Sequence, residues 1–251
     1  MTKKAPVEET FISHLVELRD RLVKASIGIA LVCAALIAWP GPSQIYDFIA
    51  RPMIAALPAG SKMIATGVIS PFLVPMKVTL VIAFIVALPW VLYQLWAFIA
   101  PGLYAHEKRL IMPLVVSSSI LFMAGVAFCY FFVFGRVFKF IGEFAPSSIS
   151  VTPDIENYLD FVMSMCLAFG ATFEVPIVVV VLVRMGLVTV AKLKQWRPYV
   201  IVGAFVVAAI VTPPDIVSQF ALAVPMCLLF ELGLMVAPIF VKATQAPQEL
   251  S

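Results

Sequence analysis

The sequence predicts an all-α membrane protein with six transmembrane helices. Of its 251 residues, 63% are hydrophobic and only 12% are charged, and the mean hydropathy is +1.06. This composition leaves almost nothing for a water-exposed domain. Long apolar stretches recur along the chain, separated by short segments that carry most of its charges. We therefore expect a single transmembrane domain over residues 1–251.

The N-terminal segment, residues 1–24, is polar and amphipathic. Its apolar side chains recur at helical spacing on one face: Phe11, Leu15, Leu18 and Leu22. His14, Glu17 and Arg21 line a neighbouring face. Four-residue spacing predicts an acid–base pair between Glu17 and Arg21, and a second pair between Asp20 and Lys24. The segment is either an interfacial helix leading into a span or a surface that presents Glu17 to a ligand.

Six apolar stretches are predicted to span the membrane: residues 25–39, 71–99, 110–134, 158–183, 198–211 and 216–236. The second is long enough to tilt, or to kink at Pro75 and Pro89. The fifth rises only about 21 Å, so it is short for a bilayer, and we expect the sixth to be short as well. A short amphipathic helix is predicted over residues 43–57, and residues 240–251 form a polar tail.

The distribution of positive charge predicts the orientation. Of the seventeen Lys and Arg residues, twelve fall on the side that holds both termini and five on the opposite side. The positive-inside rule therefore places the N- and C-termini in the cytoplasm.

The loop between the second and third spans carries an unexpected acid, Glu107, which lies with Glu17 on the predicted cytoplasmic face. Together with His14, Phe98 and Tyr104, the two carboxylates could hold a pair of cations. Arginine suits this best, because its planar fork binds a carboxylate bidentately. The other interpretation is two unrelated surface acids.

Glu174 lies about 15 Å from Arg184 along a helix, near the bilayer centre. An acid at this depth is costly unless it is protonated, paired or wetted. Pro176 also leaves the Thr172 carbonyl without its usual donor. Glu174 is therefore either a protonated acid bonded to a neighbouring helix or part of a polar patch facing a groove.

The last span begins with polar residues. Asp215 follows two prolines and is predicted to be an N-cap. Gln219, one turn later, either joins a polar cluster or contacts another helix. Glu231 is predicted to be a packing acid.

Cofactor and nucleotide chemistry find no support in the sequence. The four cysteines lie in apolar stretches without metal-ligand spacing, and we predict neither a metal nor another cofactor. The sequence has no Gly-rich phosphate-binding motif, and we expect no enzymatic activity and no nucleic-acid partner.

Several motifs in a fixed order resemble the TatC family, the multispanning core subunit of the twin-arginine protein translocase. They lie at residues 14–19 (HLVELR), 98–107 (FIAPGLYAHE), 173–176 (FEVP), 197–199 (RPY) and 212–215 (TPPD). The resemblance covers roughly residues 8–240.

The resemblance implies a glove-like, concave six-helix bundle with a periplasmic cap, in the bacterial inner membrane. It implies binding of twin-arginine signal peptides on folded cargo, with export powered by the proton-motive force. Glu17 and Glu107 would bind the arginines, beside Phe98, His14 and His106.

Further roles follow from the same resemblance. Glu174 would be a polar residue of the concave face, and Pro52 would lie in a periplasmic loop whose integrity matters. The end of the fifth span, before Thr212, and the start of the sixth, near Asp215 and Gln219, would contact single-span TatA- and TatB-type subunits. Other expected partners are further copies of the chain, in a multimeric receptor, and membrane lipid.

Two rival functions use the same residues. A proton-coupled small-solute transporter could use Glu174, although the two halves of the chain show no repeat. An intramembrane hydrolase would need a second group at the depth of Glu174, and none is evident.

Overall fold

A computed structural model describes residues 6–56, 63–99, 111–144, 152–212 and 215–242. Within these ranges the chain is almost entirely helical, and its β structure is one isolated parallel bridge between Ile64 and Asp154. The all-α prediction is confirmed.

The helices follow one another in the order α1 Pro6–Ala38, α2 Pro42–Ala56, α3 Ser70–Ile99, α4 Ile111–Phe128, α5 Phe134–Phe144, α6 Ile155–Phe173, α7 Val175–Arg184, α8 Val190–Gln195, α9 Arg197–Val211 and α10 Ile216–Lys242. A π-helical turn over Cys129–Val133 joins α4 to α5 without a break.

Among the described residues, four segments are long and apolar enough to cross a membrane: Ser13–Ala38, Met112–Phe140, Ile155–Arg184 and Ile216–Ile239. Helix α3 gives a fifth if its two arms, Ser70–Val86 and Leu88–Ile99, form one span bent by 55°. The bend adjoins Pro89, as predicted, because this residue has no N–H for the carbonyl one turn earlier. The helix continues through Pro75 without a break.

Two elements differ from the prediction and a third agrees with it. Helix α1 continues through Lys24, so the amphipathic segment and the first span are one helix of 33 residues. The sixth span is not short: α10 has 27 residues, because Pro225 and Pro238 lie inside it without ending it. Helix α9, with 15 residues, is as short as expected.

The contacts divide the chain into two units, the first comprising Met1–Gly41 and Thr79–Ser119. In this unit the indole Nε1 of Trp90 donates to the Lys24 carbonyl at 2.9 Å. A Cβ at Gly28 would collide with the Trp90 ring, so this glycine lets α1 approach α3 closely.

The second unit comprises Pro42–Val78 and Ile120–Ser251. Its centre is packed with fully buried side chains, the largest of which include Phe134, Phe169, Leu159 and Met165. Gly125 allows α4 to reach the backbone of α6, since a Cβ there would lie 2.5 Å from the Phe169 carbonyl oxygen. Gly233 of α10 packs in the same way against α7, at Pro176 and Val179.

Candidate functional site

The predicted pair between Glu17 and Arg21 is present. The Arg21 Nε and Nη2 atoms both donate to the Glu17 Oε1 atom, at 3.1 and 2.9 Å. The two side chains are half-buried, with 34% of Glu17 and 25% of Arg21 exposed. Glu17 is therefore accessible, and it already binds one guanidinium, that of Arg21, as the four-residue spacing predicts.

His14 lies on the other side of the same carboxylate. Its Nδ1 atom is 4.0 Å from the Glu17 Oε2 atom. Its ring stacks on Phe98, the penultimate residue of α3, with centroids 4.6 Å apart and planes inclined by 22°. The structure thus brings His14, Glu17 and Phe98 together, and we call these three residues with Arg21 the N-terminal cluster.

Helix geometry explains the cluster. Residues three and four positions apart share a helix face, so His14 and Arg21 flank Glu17 on α1. Phe98 comes from the end of another helix, beyond the Pro89 bend. Of the remaining predicted site residues, Glu107 and His106 lie outside the residues that the structure describes.

The second predicted pair on α1 is not the one that forms. Asp20 accepts from Nε and Nη2 of its neighbour Arg19, at 3.1 and 2.8 Å, instead of pairing with Lys24. The spacing rule did not anticipate this, because adjacent side chains meet when a long arginine folds back towards a short acid.

Glu174 lies at an interruption in the fourth span. It is the residue between α6 and α7, and Pro176 occupies the first turn of α7. The break follows from the missing N–H of Pro176. The side chain is half-buried in the second unit, about 15 Å from Arg184 along the helix.

Asp215 caps α10, as predicted. Its Oδ1 atom accepts from the Ser218 backbone N–H at 2.7 Å, which satisfies one of the N–H groups left over at a helix start. Gln219 follows one turn later and is half-buried.

Pro52 lies inside α2 and removes the donor that would serve the Phe48 carbonyl. The Tyr130 hydroxyl supplies a replacement, donating to that carbonyl at 2.7 Å. Sequence reasoning missed Tyr130. The signal was a proline inside a helix, whose orphaned carbonyl needs a donor from elsewhere in the fold.

Two further acids were not predicted to be paired. The Arg197 Nη2 atom lies 2.6 Å from the Glu231 Oε2 atom, which ties α9 to α10. The Lys77 Nζ atom lies 3.3 Å from one oxygen of Glu156, whose other oxygen accepts from the Ser70 hydroxyl at 2.8 Å.

Hydrogen bonds also join the segment before α3 to the start of α6. Thr66 donates to Asp154 through its backbone N–H at 3.2 Å and its hydroxyl at 3.0 Å. Partial desolvation acts to raise the pKa of Asp154, but the hydrogen bonds from Asn157 and Thr66 outweigh it, so this pKa is lowered.

Comparison with known proteins identifies the family. The family model described as Sec-independent protein translocase protein (TatC) matches residues 13–225. A relative of that name from Haemophilus influenzae is 50% identical over 92% of this chain and 90% of its own length. The relative from Escherichia coli K12 is 48% identical over 94% and 91%.

Solved structures agree. The crystal structure of the twin-arginine translocase receptor TatC matches with a TM-score of 0.79 and 35% identity, covering 90% of this chain and 98% of that one. With its spanning helices and bacterial relatives, this is a multi-pass protein of the bacterial inner membrane. The chain belongs to the TatC family of Sec-independent protein translocase proteins.

Proposed function

We propose that this protein is the receptor that binds twin-arginine signal peptides of folded proteins for export by the Sec-independent translocase. One observation carries the proposal: Glu17 sits beside an aromatic stack and already binds an arginine, Arg21. Membership of the TatC family supports it, and favours protein transport over a small-solute carrier or catalysis.

Recognition depends on the chemistry of guanidinium. It is planar, permanently charged and able to donate two parallel hydrogen bonds to a carboxylate. Glu17 supplies one carboxylate, and Glu107 is proposed to supply the other, both on the cytoplasmic face. The His14 ring stacks on Phe98, and the aromatic ring of Phe98 offers a surface that also attracts a cation.

The membrane-embedded residues act after this first contact. The apolar part of the signal enters the bilayer, where Glu174 offers a polar group at the interruption of the fourth span. Movement is powered by the proton-motive force. The capped start of α10, with Asp215 and Gln219, contacts single-span TatA- and TatB-type subunits, and several copies of the chain assemble into one receptor.

A photocrosslinker at position 98 tests the proposal in the full chain in membranes. A twin-arginine signal should crosslink strongly, and a matched twin-lysine signal should crosslink weakly. Equal crosslinking of both peptides would contradict arginine recognition.

Charge reversal gives a second test. Glu107→Lys with normal membrane insertion should abolish binding of the twin-arginine peptide. Glu231→Lys is the matched control, since Glu231 pairs with Arg197 and is not one of the proposed arginine-binding carboxylates. Undiminished binding by Glu107→Lys would remove Glu107 from the site.

A further inference from the structure

We infer that Arg21 is an internal competitor for the signal peptide: it occupies Glu17 in the unbound receptor and must leave before a signal arginine binds. The inference rests on the proposed function, because it names a residue that sets the affinity of the same site. Arg21 thereby keeps the signal weakly held and promotes its release.

The Glu17–Arg21 pair uses only one of the two carboxylate oxygens. Both Arg21 donors converge on one oxygen, Oε1, at 2.9 and 3.1 Å. Among the residues that the structure describes, the neighbour recorded for the other oxygen, Oε2, is His14, whose Nδ1 atom lies 4.0 Å away. A guanidinium arriving from outside the helix can place one N–H on each oxygen, which is the stronger arrangement. Arg21 does not make this arrangement in the structure, since both of its donors bind Oε1.

The Glu17–Arg21 pair is weak enough for an arginine of the signal peptide to displace Arg21. Acid–base pairs four residues apart on a helix, and exposed ion pairs generally, are weak. A site that is partly blocked binds its ligand more weakly, in proportion to the fraction that is open. A blocking pair of this strength lowers the apparent affinity about two- to sixfold.

The alternative role is positioning, in which Arg21 holds Glu17 in the orientation that the peptide needs. The two roles predict opposite signs. Removing a competitor tightens binding, and tightens it by the same factor for every peptide that uses Glu17. Removing a positioning residue weakens binding.

The chain provides a matched control at Arg19. This arginine bonds Asp20 through the same two atoms, at 3.1 and 2.8 Å, and lies two positions from Arg21 on the same helix. Arg21→Gln and Arg19→Gln therefore remove the same charge and the same kind of contact. Only the first change vacates Glu17.

The experiment measures dissociation constants of fluorescent twin-arginine and twin-lysine signal peptides for the full chain in lipid nanodiscs. Relative to Arg19→Gln, we expect Arg21→Gln to bind both peptides about two- to sixfold more tightly, with their ratio unchanged. Unchanged or weaker binding would overturn the inference while leaving the proposed function intact.

Two further arms complete the design. If Arg21→Gln does not insert into the membrane, Arg21→Lys replaces it, with a smaller tightening expected because lysine lacks the guanidinium fork. Failure of the wild-type chain and both variants to prefer the twin-arginine peptide would sink the proposed function, and this inference with it.

Discussion

The Tyr130 hydroxyl donates a 2.7 Å hydrogen bond to the Phe48 carbonyl, the acceptor that Pro52 leaves without a helical donor. The two rings also stack, with centroids 5.4 Å apart. A side chain in the π-helical turn thus repairs the hydrogen bonding of α2. Pro52 and Tyr130 are therefore linked through the Phe48 carbonyl, although 78 positions separate them in the sequence.

This contact predicts the effect of Tyr130→Phe. Loss of the hydroxyl should lower the free energy of unfolding by about 1 kcal/mol, the typical net contribution of one hydrogen bond. Thermal unfolding of the purified wild type and variant in detergent measures this difference in stability.

Pro52→Ala provides the coupled control. The new N–H at position 52 can bond Phe48, so Tyr130→Phe should cost much less in that background. Equal losses in both backgrounds would show that the two residues act independently.

Gly125→Ala should destabilise the second unit by about 1–3 kcal/mol, as overpacking does. Its new Cβ would lie 2.5 Å from the Phe169 carbonyl oxygen, a backbone atom that cannot swing aside. Gly135→Ala is the control, because no atom lies within 4 Å of a Cβ there. The measurement compares the melting temperatures of the two variants, and Gly125→Ala should melt lower than Gly135→Ala. Similar melting temperatures would argue against the close α4–α6 contact.

The lowered pKa of Asp154 predicts a loss of stability in acid. A carboxylate whose pKa is lower in the folded state stabilises that state above its unfolded pKa, about 4. This contribution is lost as the pH falls through the lower, folded value. Melting curves between pH 7 and 3 should show a smaller acid-induced loss in Asp154→Asn than in the wild type. Parallel curves would rule out a contribution from this group.

The Arg197–Glu231 pair predicts a charge-reversal rescue. Arg197→Glu and Glu231→Arg should each destabilise the α9–α10 contact, by up to about 1 kcal/mol for a half-exposed pair. The double variant should recover most of the loss. If the loss of stability in the double variant equals the sum of the losses in the two single variants, the Arg197–Glu231 pair contributes nothing to stability.

Local signals in the sequence were enough to locate most helices. Apolar runs identified the spans, the prolines marked the bend near Pro89 and the break at Glu174, and Asp215 was recognisable as a cap. The length of α10 was underestimated, because packing tolerates Pro225 and Pro238 inside the helix. The π-helical turn has no sequence signature that we could read.

The candidate site was predictable in part for the same reason. The Glu17–Arg21 pair follows from spacing on one helix. The His14–Phe98 stack joins residues 84 positions apart, and neither helical periodicity nor spacing predicts that these two rings stack. The contribution of Glu107 and His106 stays a prediction.

The unbroken course of α1 has a mechanical consequence. Neither proline nor a turn interrupts the helix between Glu17 and the point where Gly28 meets Trp90, so the segment is a stiff lever about 17 Å long. The helix has no break at Lys24 that would absorb a movement of the Glu17 carboxylate. A movement of the Glu17 side chain is therefore expected to reach the Gly28–Trp90 contact, which couples the N-terminal cluster to the packing of α1 against α3 within the first unit.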